Sequence, residues 1–234
     1  MRLIAEGVRK QVLQDPIAYD ALVAGILNCR AYAKSIVKPV GDWCRKPVKV
    51  DTVMAVLLRL RRTLQQTQQE TGRLPLIPDF SISSLTLKTS LAEIAFDLTK
   101  DIDQVTHWLE AYPKQKDAMV ITIRGNHELA IIAPHQIVLD LQKTFPRHKP
   151  KGVALGLAAV TVTYPSADYL FTPGITYALI RQIALQRINL VEKCSTYSEE
   201  TFFVAEEDAA ATFECLKPFL KTKSDSELKQ KRPH

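Results

Sequence analysis

The chain has 234 residues, of which 46% are hydrophobic and 24% are charged. These proportions are ordinary for a globular protein and exclude disorder over the whole chain. A chain of this length is long enough for one large domain or for two to three small ones. The net charge of +6 suggests a nucleic acid or another polyanion as a partner but does not establish one.

The four cysteines, at positions 29, 44, 194 and 215, are too few and too widely spaced for a disulfide scaffold. None forms a C-x-x-C pair, so a zinc ribbon or a thioredoxin-type site has no support and we expect reduced thiols. The amino-terminal residues are charged and lack the apolar run of a secretory signal. No stretch approaches the roughly 18–20 apolar residues that a membrane span needs. We therefore expect a cytoplasmic protein with no membrane partner.

The basic charge is concentrated in one part of the chain. Residues 1–73 carry 13 Lys and Arg against 6 Asp and Glu, a net of +7. Residues 74–150 carry 8 against 9, and residues 151–234 carry 10 against 10, so their net charges are −1 and 0. A polyanion, if one binds, is therefore expected to contact the first third.

The first third shows the start and stop signals of helices. Asp15-Pro16 predicts a helix start, with the aspartate as N-cap and the proline in the first turn. Asn28 predicts the cap of a second helix, which we expect to end at Pro39 and to be followed by a loop. Asp51 predicts the cap of a third, longer helix. The sequence thus predicts a compact bundle of three or four helices.

Polar segments mark the ends of the predicted domains. The basic helical domain is predicted to cover residues 1–70. Its end coincides with the end of a polar run that begins at Gln65. Residues 71–79 contain one glycine and two prolines and are predicted to be a linker. Residues 222–234 contain a single leucine, and we expect them to form a disordered tail.

The middle and last thirds repeat one pattern of elements. Each reads strand, helix, strand, strand, helix, with predicted boundaries at 80–148 and 149–221. This is the ferredoxin-like order without its last strand. A further strand at 81–87 could supply a missing edge. We expect the helices to cover one sheet face, and the other face or an edge strand to stay free for a second copy.

Short motifs follow one another in the last third, between Val153 and Leu220. They are Phe171-Thr172-Pro173-Gly174-Ile175, Ile188-Asn189-Leu190, Ser195-Thr196, Glu200-Thr201-Phe202-Phe203-Val204 and Glu206-Glu207-Asp208-Ala209. In this order they resemble the ACT domain, most of all the regulatory ACT modules of aspartate kinases. The middle third shares the layout without the motifs, so we interpret it as a degenerate ACT-like module. The predicted fold class is α+β, with an N-terminal helical bundle followed by two tandem ferredoxin-like (ACT-like) βαββα modules.

The resemblance concerns the sensor of these kinases and not their catalyst. Glycine occurs at only eight positions with no cluster, so the chain has no phosphate-cradling loop. The resemblance implies modules that pair into a homo-oligomer and that bind a small ligand, often an amino acid, at their junction. It implies that the ligand regulates a partner through this protein, and we expect no cofactor.

Eight residues are candidates for the ligand site: Asp168, Tyr169, Thr172, Pro173, Gly174, Ile175, Asn189 and Ser195. A loop that leads into a helix offers free N–H groups and the positive end of the helix dipole to a carboxylate. Asp168 could then accept an ammonium, and Asn189 and Ser195 could add polar contacts from the second strand. The alternative is ordinary capping, with Thr172 as the N-cap, Asn189 as a turn residue and the aromatic side chains packed against a partner module.

The basic domain provides a different hypothesis, a helix-turn-helix that binds DNA. Its candidate phosphate contacts are Arg45, Lys46, Lys49, Arg59, Arg61 and Arg62. Two observations favour a solvated basic face instead. The connection between the two helices is expected to span about a dozen residues, whereas such a turn usually has 3–4. The arginines also come late in the second helix. A third hypothesis is a structural protein that dimerises without any ligand.

The sequence gives little support for catalysis. None of the five histidines lies in a metal-binding spacing, and there is no G-x-S-x-G nucleophile motif. The paired acids Glu206-Glu207 precede a predicted helix, where the helix dipole accounts for them. We therefore expect a protein that is not an enzyme, with no metal site.

Overall fold

The structure, a computed structural model, describes residues 3–71, 80–99, 102–112, 118–166, 169 and 171–220. The chain divides into two compact units, Met1–Asp79 and Phe80–His234. The predicted linker, except for Thr71, and the predicted tail lie outside the described residues.

Four helices form the first unit: α1 (Ile4–Leu13), α2 (Pro16–Val23), α3 (Cys29–Cys44) and α4 (Val50–Thr71). Two predicted caps are confirmed. The Asp15 and Asn28 side chains accept hydrogen bonds from the third residue beyond them, each at 3.0 Å. Asp51 lies inside the first turn of α4 and does not precede it. One apolar core joins the helices, with Val8, Leu22 and Leu57 fully buried.

The prediction that the second helix ends at Pro39 is wrong. Helix α3 runs through this proline to Cys44, because its apolar stripe continues with Ile36, Val40 and Cys44, all buried. Pro39 is exposed, so the hydrogen bond that it removes lies on the solvent side. Burial of the stripe outweighs the roughly 3 kcal/mol that an internal proline costs.

The polar run that starts at Gln65 is also helical and not part of a linker. Glutamine and glutamate have good helix propensity, and α4 continues through them to Thr71. The Gln65 side chain donates a hydrogen bond to the Val23 carbonyl at 3.1 Å, which ties this part of α4 to the end of α2.

The second unit contains six strands and four α-helices in the described residues. In chain order they are β1 (Ser84–Asp97), α5 (Asp103–Ala111), β2 (Ile121–Arg124), β3 (Glu128–Pro134), α6 (His135–Thr144), β4 (Gly152–Thr163), α7 (Ile175–Leu185), β5 (Glu192–Ser195), β6 (Glu199–Ala205) and α8 (Ala209–Leu216). All strands form one antiparallel sheet in the order β2-β3-β1-β4-β6-β5. The pattern strand, helix, strand, strand, helix therefore occurs twice. We call β1 to α6 the first half and β4 to α8 the second half.

The two halves share their central strands. Residues 91–97 of β1 pair with β3, and residues 157–163 of β4 pair with β6. Residues 152–157 of β4 then lie beside β1 as a fourth strand of the first half, while residues 84–88 of β1 lie beside β4 in the second. Residues 84–87 of the strand predicted at 81–87 thus belong to the long strand β1, and Ile82 forms a separate bridge with Leu220. The boundary at 148/149 stays a prediction, since β1 and β4 serve both halves.

A β-bulge interrupts each of these shared strands. The register between β1 and β4 shifts between Lys88 and Leu91, and again between Leu91 and Glu93. Ser90 in β1 and Gly156 in β4 have φ angles of 60° and 65°. Bulges bend strands and increase their twist, and here they accompany a sheet that curls.

Each face of the sheet carries a buried apolar cluster. On the helical face, Ile94 and Ile131 pack with α5 and α6, and Val160 and Phe202 pack with α7 and α8. On the opposite face a second cluster holds Leu91, Ile132, Leu157, Ala159 and Phe203, each at most 2% exposed. At this cluster the opposite face is therefore not free, which leaves the edge strands of the two expected alternatives. The sheet ends in the edge strands β2 and β5.

Candidate functional site

A cavity of about 300 Å³ lies at the amino end of α7. Its walls come from the segment between β4 and α7, from the first turn of α7 and from the β5–β6 hairpin. The lining residues are Tyr164, Tyr169, Thr172, Pro173, Gly174, Ile175, Thr176, Ser195, Thr196, Tyr197, Glu199 and Glu200. Six of the eight predicted ligand-site residues are among them, which brings the T-P-G loop and the end of β5 together.

The other two predicted residues stand apart from this group. Asp168 lies outside the described residues. Asn189 is exposed, precedes β5 and does not line the cavity. Its expected place in the second strand is wrong, because regular pairing of β5 with β6 begins only at Glu192.

The N-cap residue of α7 provides no side-chain hydrogen bond to the helix. The N-cap position belongs to Gly174, whose φ of 93° is costly for any residue with a Cβ. Thr172 is therefore not the N-cap of this helix. The first N–H groups of a helix have no intrahelical acceptor and carry the positive end of its dipole. At α7 this end faces the cavity, a local arrangement that suits a carboxylate.

Glu200 is a buried carboxylate in the cavity wall, 3% exposed. Its Oε2 accepts hydrogen bonds from the Tyr164 hydroxyl at 2.6 Å and from the Thr176 hydroxyl at 3.2 Å. These donors come from the end of β4 and the first turn of α7. The carboxylate thus connects three of the elements that form the cavity.

The other oxygen of Glu200 faces a lysine. Its Oε1 lies 2.9 Å from Nζ of Lys193 on β5, within ion-pair distance. The same oxygen has no partner with hydrogen-bond geometry among the described residues. The Lys193 side chain is 31% exposed and can reach water, whereas the Glu200 side chain is only 4% exposed.

Stacked tyrosines form one wall. The rings of Tyr164 and Tyr169 lie 4.6 Å apart at 15°, and the Tyr169 hydroxyl donates to the Ser81 carbonyl at 2.9 Å. Burial, and then the hydrogen bond to Glu200, hold the pKa of Tyr164 well above its usual value. Tyr164 therefore stays a neutral donor at any physiological pH. Tyr197, 68% exposed, lies at the rim.

The first half is an internal reference for this site. In the second half, Glu200 lies between its strand partners Val162 and Ser195. In the first half, Leu129 lies in the same way between Phe96 and Arg124, so Leu129 is the equivalent of Glu200. The position of Glu200 is thus held by a fully buried leucine. The position of Ser195 holds an arginine that forms a 2.6 Å ion pair with Asp103, the first residue of α5. Only the second half places a carboxylate at this point of the sheet.

Sequence reasoning missed Thr176, Thr196, Tyr197, Glu199 and Glu200 as cavity residues. A usable signal existed for the last two. Side chains alternate between the two faces along a strand, so one of the consecutive acids must point to the face that the helices cover, although the sequence alone does not say which one. Among the described residues no cluster of His, Cys, Asp and Glu is arranged to hold a metal ion.

The six predicted nucleic-acid contacts all lie in the first unit. Arg45, Lys46, Lys49, Arg59 and Arg62 are exposed, and Arg61 is half-buried. Because α3 extends to Cys44, only residues 45–49 connect it to α4. The expected connection of about a dozen residues is therefore wrong. Arg45 and Lys46 also line an open groove of about 640 Å³, together with Lys38 of α3.

Comparisons with known proteins find similarity at the level of structure. No family model and no curated protein matches the chain. The ligand-free regulatory subunit of aspartate kinase from Thermus thermophilus aligns over 61% of this chain and 99% of its own, with a TM-score of 0.50 and 12% identity. The regulatory subunit of aspartate kinase from Thermus flavus aligns over 59% of this chain and 97% of its own, with a TM-score of 0.49 and 12% identity. Aspartate kinase from Clostridium acetobutylicum aligns over 62% of this chain but 36% of its own, at 0.49 and 12%.

The fold of the aligned part is similar to that of the ACT-containing regulatory domains of aspartate kinases. The predicted resemblance is confirmed at this level, and at 12% identity it concerns the fold alone. Among the described residues, no helix is both long and apolar enough to cross a bilayer.

Proposed function

We propose that the protein is a non-enzymatic regulator that senses an amino acid or a related small ligand through the cavity at the amino end of α7. The observation that carries the proposal is the uncapped end of this helix at Gly174, which opens on a cavity lined by six residues of the T-P-G and Ser195 motifs. A carboxylate bound there would accept the N–H groups that the helix leaves without partners.

The size of the cavity agrees with a small ligand. At about 300 Å³ it is at the lower limit of ligand pockets, which fits one amino acid better than a nucleotide cofactor. Support for a regulatory role comes from the fold, since the similar Thermus thermophilus protein is a regulatory subunit described in a ligand-free form.

Regulation would require two states that bind the ligand with different affinity. We propose that these are states of a cytoplasmic homo-oligomer formed through the two ACT-like modules, which transmits its state to a protein target. The edge strands β2 and β5 provide unpaired backbone for such an assembly. The degenerate module at 80–148 and the ACT module at 149–221 are the proposed building blocks.

A thermal-shift screen of the full chain against the twenty amino acids tests the proposal. At 100 times its Kd, a ligand stabilises by about 2.7 kcal/mol, which raises the Tm of a chain of this size by roughly 5–10 °C. We expect such a shift for at least one amino acid. We expect it to be lost in G174A, because an alanine at this φ distorts the loop, and kept in G152A, whose added Cβ meets no atom within 4 Å.

Two results would count against the sensor. A folded wild-type sample that responds to none of the twenty amino acids would remove its basis. A shift in G174A as large as in wild type would place the binding elsewhere. A stable homodimer that responds to no ligand would favour the third hypothesis, a purely structural pairing protein.

DNA binding by the first unit is the second candidate. It is favoured by the short connection between α3 and α4, which contains the exposed Arg45, Lys46 and Lys49, and by the exposed Arg59 and Arg62 on α4. Contact with four to six phosphates predicts that log K falls against log salt with a slope of about −4 to −5. A gel-shift series with the full chain and duplex DNA measures this slope. We expect it to flatten in R45A/K46A/K49A, and no binding at low salt would exclude this candidate.

A further inference from the structure

Glu200 is a charged residue at a position that packing alone would fill with an apolar one. The equivalent position of the first half holds Leu129, which is fully buried in the core beneath α5 and α6. Taking a carboxylate out of water costs several kcal/mol unless it is paired and hydrogen-bonded. In the second half this cost arises at Glu200, beside the cavity. Because a leucine satisfies the fold at the equivalent position, we look for a function of the carboxylate in the cavity.

The surroundings of Glu200 indicate what the charge serves. Glu199 and Glu200 both line the cavity, and no lysine or arginine does. The aromatic side chains Tyr164, Tyr169 and Tyr197 add faces that attract cations. Positive charge comes from the amino end of α7, whose N-cap residue Gly174 has no side chain, and from Lys193, which pairs with Glu200. A cavity with this charge pattern suits a zwitterion better than a pure anion.

The contacts of Glu200 leave room for a further donor. Oε2 is occupied by the two hydroxyl groups of Tyr164 and Thr176. Oε1 has the ion pair with Lys193 but no hydrogen bond among the described residues. Because Lys193 is 31% exposed, it can turn toward water when another cation takes its place.

We propose that Glu200 accepts the ammonium group of the bound ligand, while the amino end of α7 binds the ligand's carboxylate. Lys193 neutralises Glu200 in the empty site and is displaced by the ligand. The site then selects α-amino acids and rejects the 2-hydroxy and 2-keto acids of the same side chain. This inference rests on the proposed function and names the chemical class of its ligand.

Two panels of compounds test the selectivity on the wild-type chain: the twenty amino acids, and the 2-hydroxy acids with the same side chains. We expect stabilisation by one or more amino acids and affinities roughly 10- to 100-fold weaker for the matching 2-hydroxy acids, since hydrogen bonds to charged groups contribute on this scale. Equal affinity for both members of a pair, or binding of the 2-hydroxy acids alone, would overturn the role of Glu200 and leave the sensor in place. No response to either panel would overturn both.

The variant E200Q tests the residue itself. The amide is isosteric and still offers an oxygen to Tyr164 and Thr176, but it has no charge for an ammonium. Calorimetric titration with the amino acid found in the panel is expected to show a 10- to 100-fold loss of affinity in E200Q and less than a twofold change in E207Q, an exposed glutamate outside the cavity. Unchanged affinity in E200Q would show that Glu200 only stabilises the end of α7.

Discussion

The variant F203A is expected to lower the free energy of unfolding by about 3–5 kcal/mol, as truncation of a fully buried phenylalanine does. Phe203 is completely buried on the sheet face that has no helix. Its neighbours there are Leu91, Leu157 and Ala159, from the two shared central strands. A ferredoxin-like sheet with one open face would instead predict a loss below about 1 kcal/mol, since surface substitutions have small effects.

Urea unfolding of the full chain, followed by fluorescence, measures this loss. The two tryptophans lie in different units, so a W43F background leaves Trp108 to report on the second unit alone. The matched control is F171A, because Phe171 is 82% exposed, and we expect it to change stability by less than about 0.5 kcal/mol. Similar small losses for both variants would mean that this face is open in solution and available to a second copy.

Local chemistry made parts of the fold predictable from sequence. The caps at Asp15 and Asn28 depend on a side chain three residues from its donor, and both hydrogen bonds are present. The turn at Gly125-Asn126 joins β2 to β3 as its residue types indicate, with the Gly125 N–H bonded to the Glu128 carbonyl. These features need only neighbouring residues, and a single sequence contains that information.

Features decided by distant residues were not predictable in the same way. Pro39 stays inside α3 because the buried face of that helix extends beyond it. Residues 84–87 of the predicted strand join the next one because β4 pairs with β1 from Ser84 to Ala95, across the bulge at Ser90. Burial of Phe203 depends on its packing with Leu91 and Leu157 from distant strands, which no local pattern reports.

In the candidate site, too, some residues were predictable from local motifs and others depended on distant residues. The T-P-G loop and Ser195 were found by motif order, because they lie at the ends of elements where the motifs occur. Glu200 was overlooked as a site residue because a charged residue in a strand has two possible faces. Only the register with Val162, and the comparison with Leu129, shows that it points inward.

The variant K193M is expected to destabilise the chain by about 2–3 kcal/mol. Removing one partner of a fully buried ion pair costs about 3–5 kcal/mol. Because the Lys193 side chain is 31% exposed, we expect the loss of stability to lie at or below the lower end of that range. The loss arises because Glu200 cannot reach water. Lys193 can, so E200Q is expected to cost less than about 1 kcal/mol.

The double variant K193M/E200Q separates this explanation from a simple loss of lysine packing. With the buried charge neutralised, we expect it to recover most of the loss and to approach the stability of E200Q, a coupling that a double-mutant cycle measures. The control K217M breaks the exposed pair with Glu214, whose side chains are 56% and 65% exposed, and should cost at most about 0.5 kcal/mol. If K193M and E200Q act additively, Lys193 does not neutralise Glu200, and the empty site must hold that charge by its hydrogen bonds to Tyr164 and Thr176 alone.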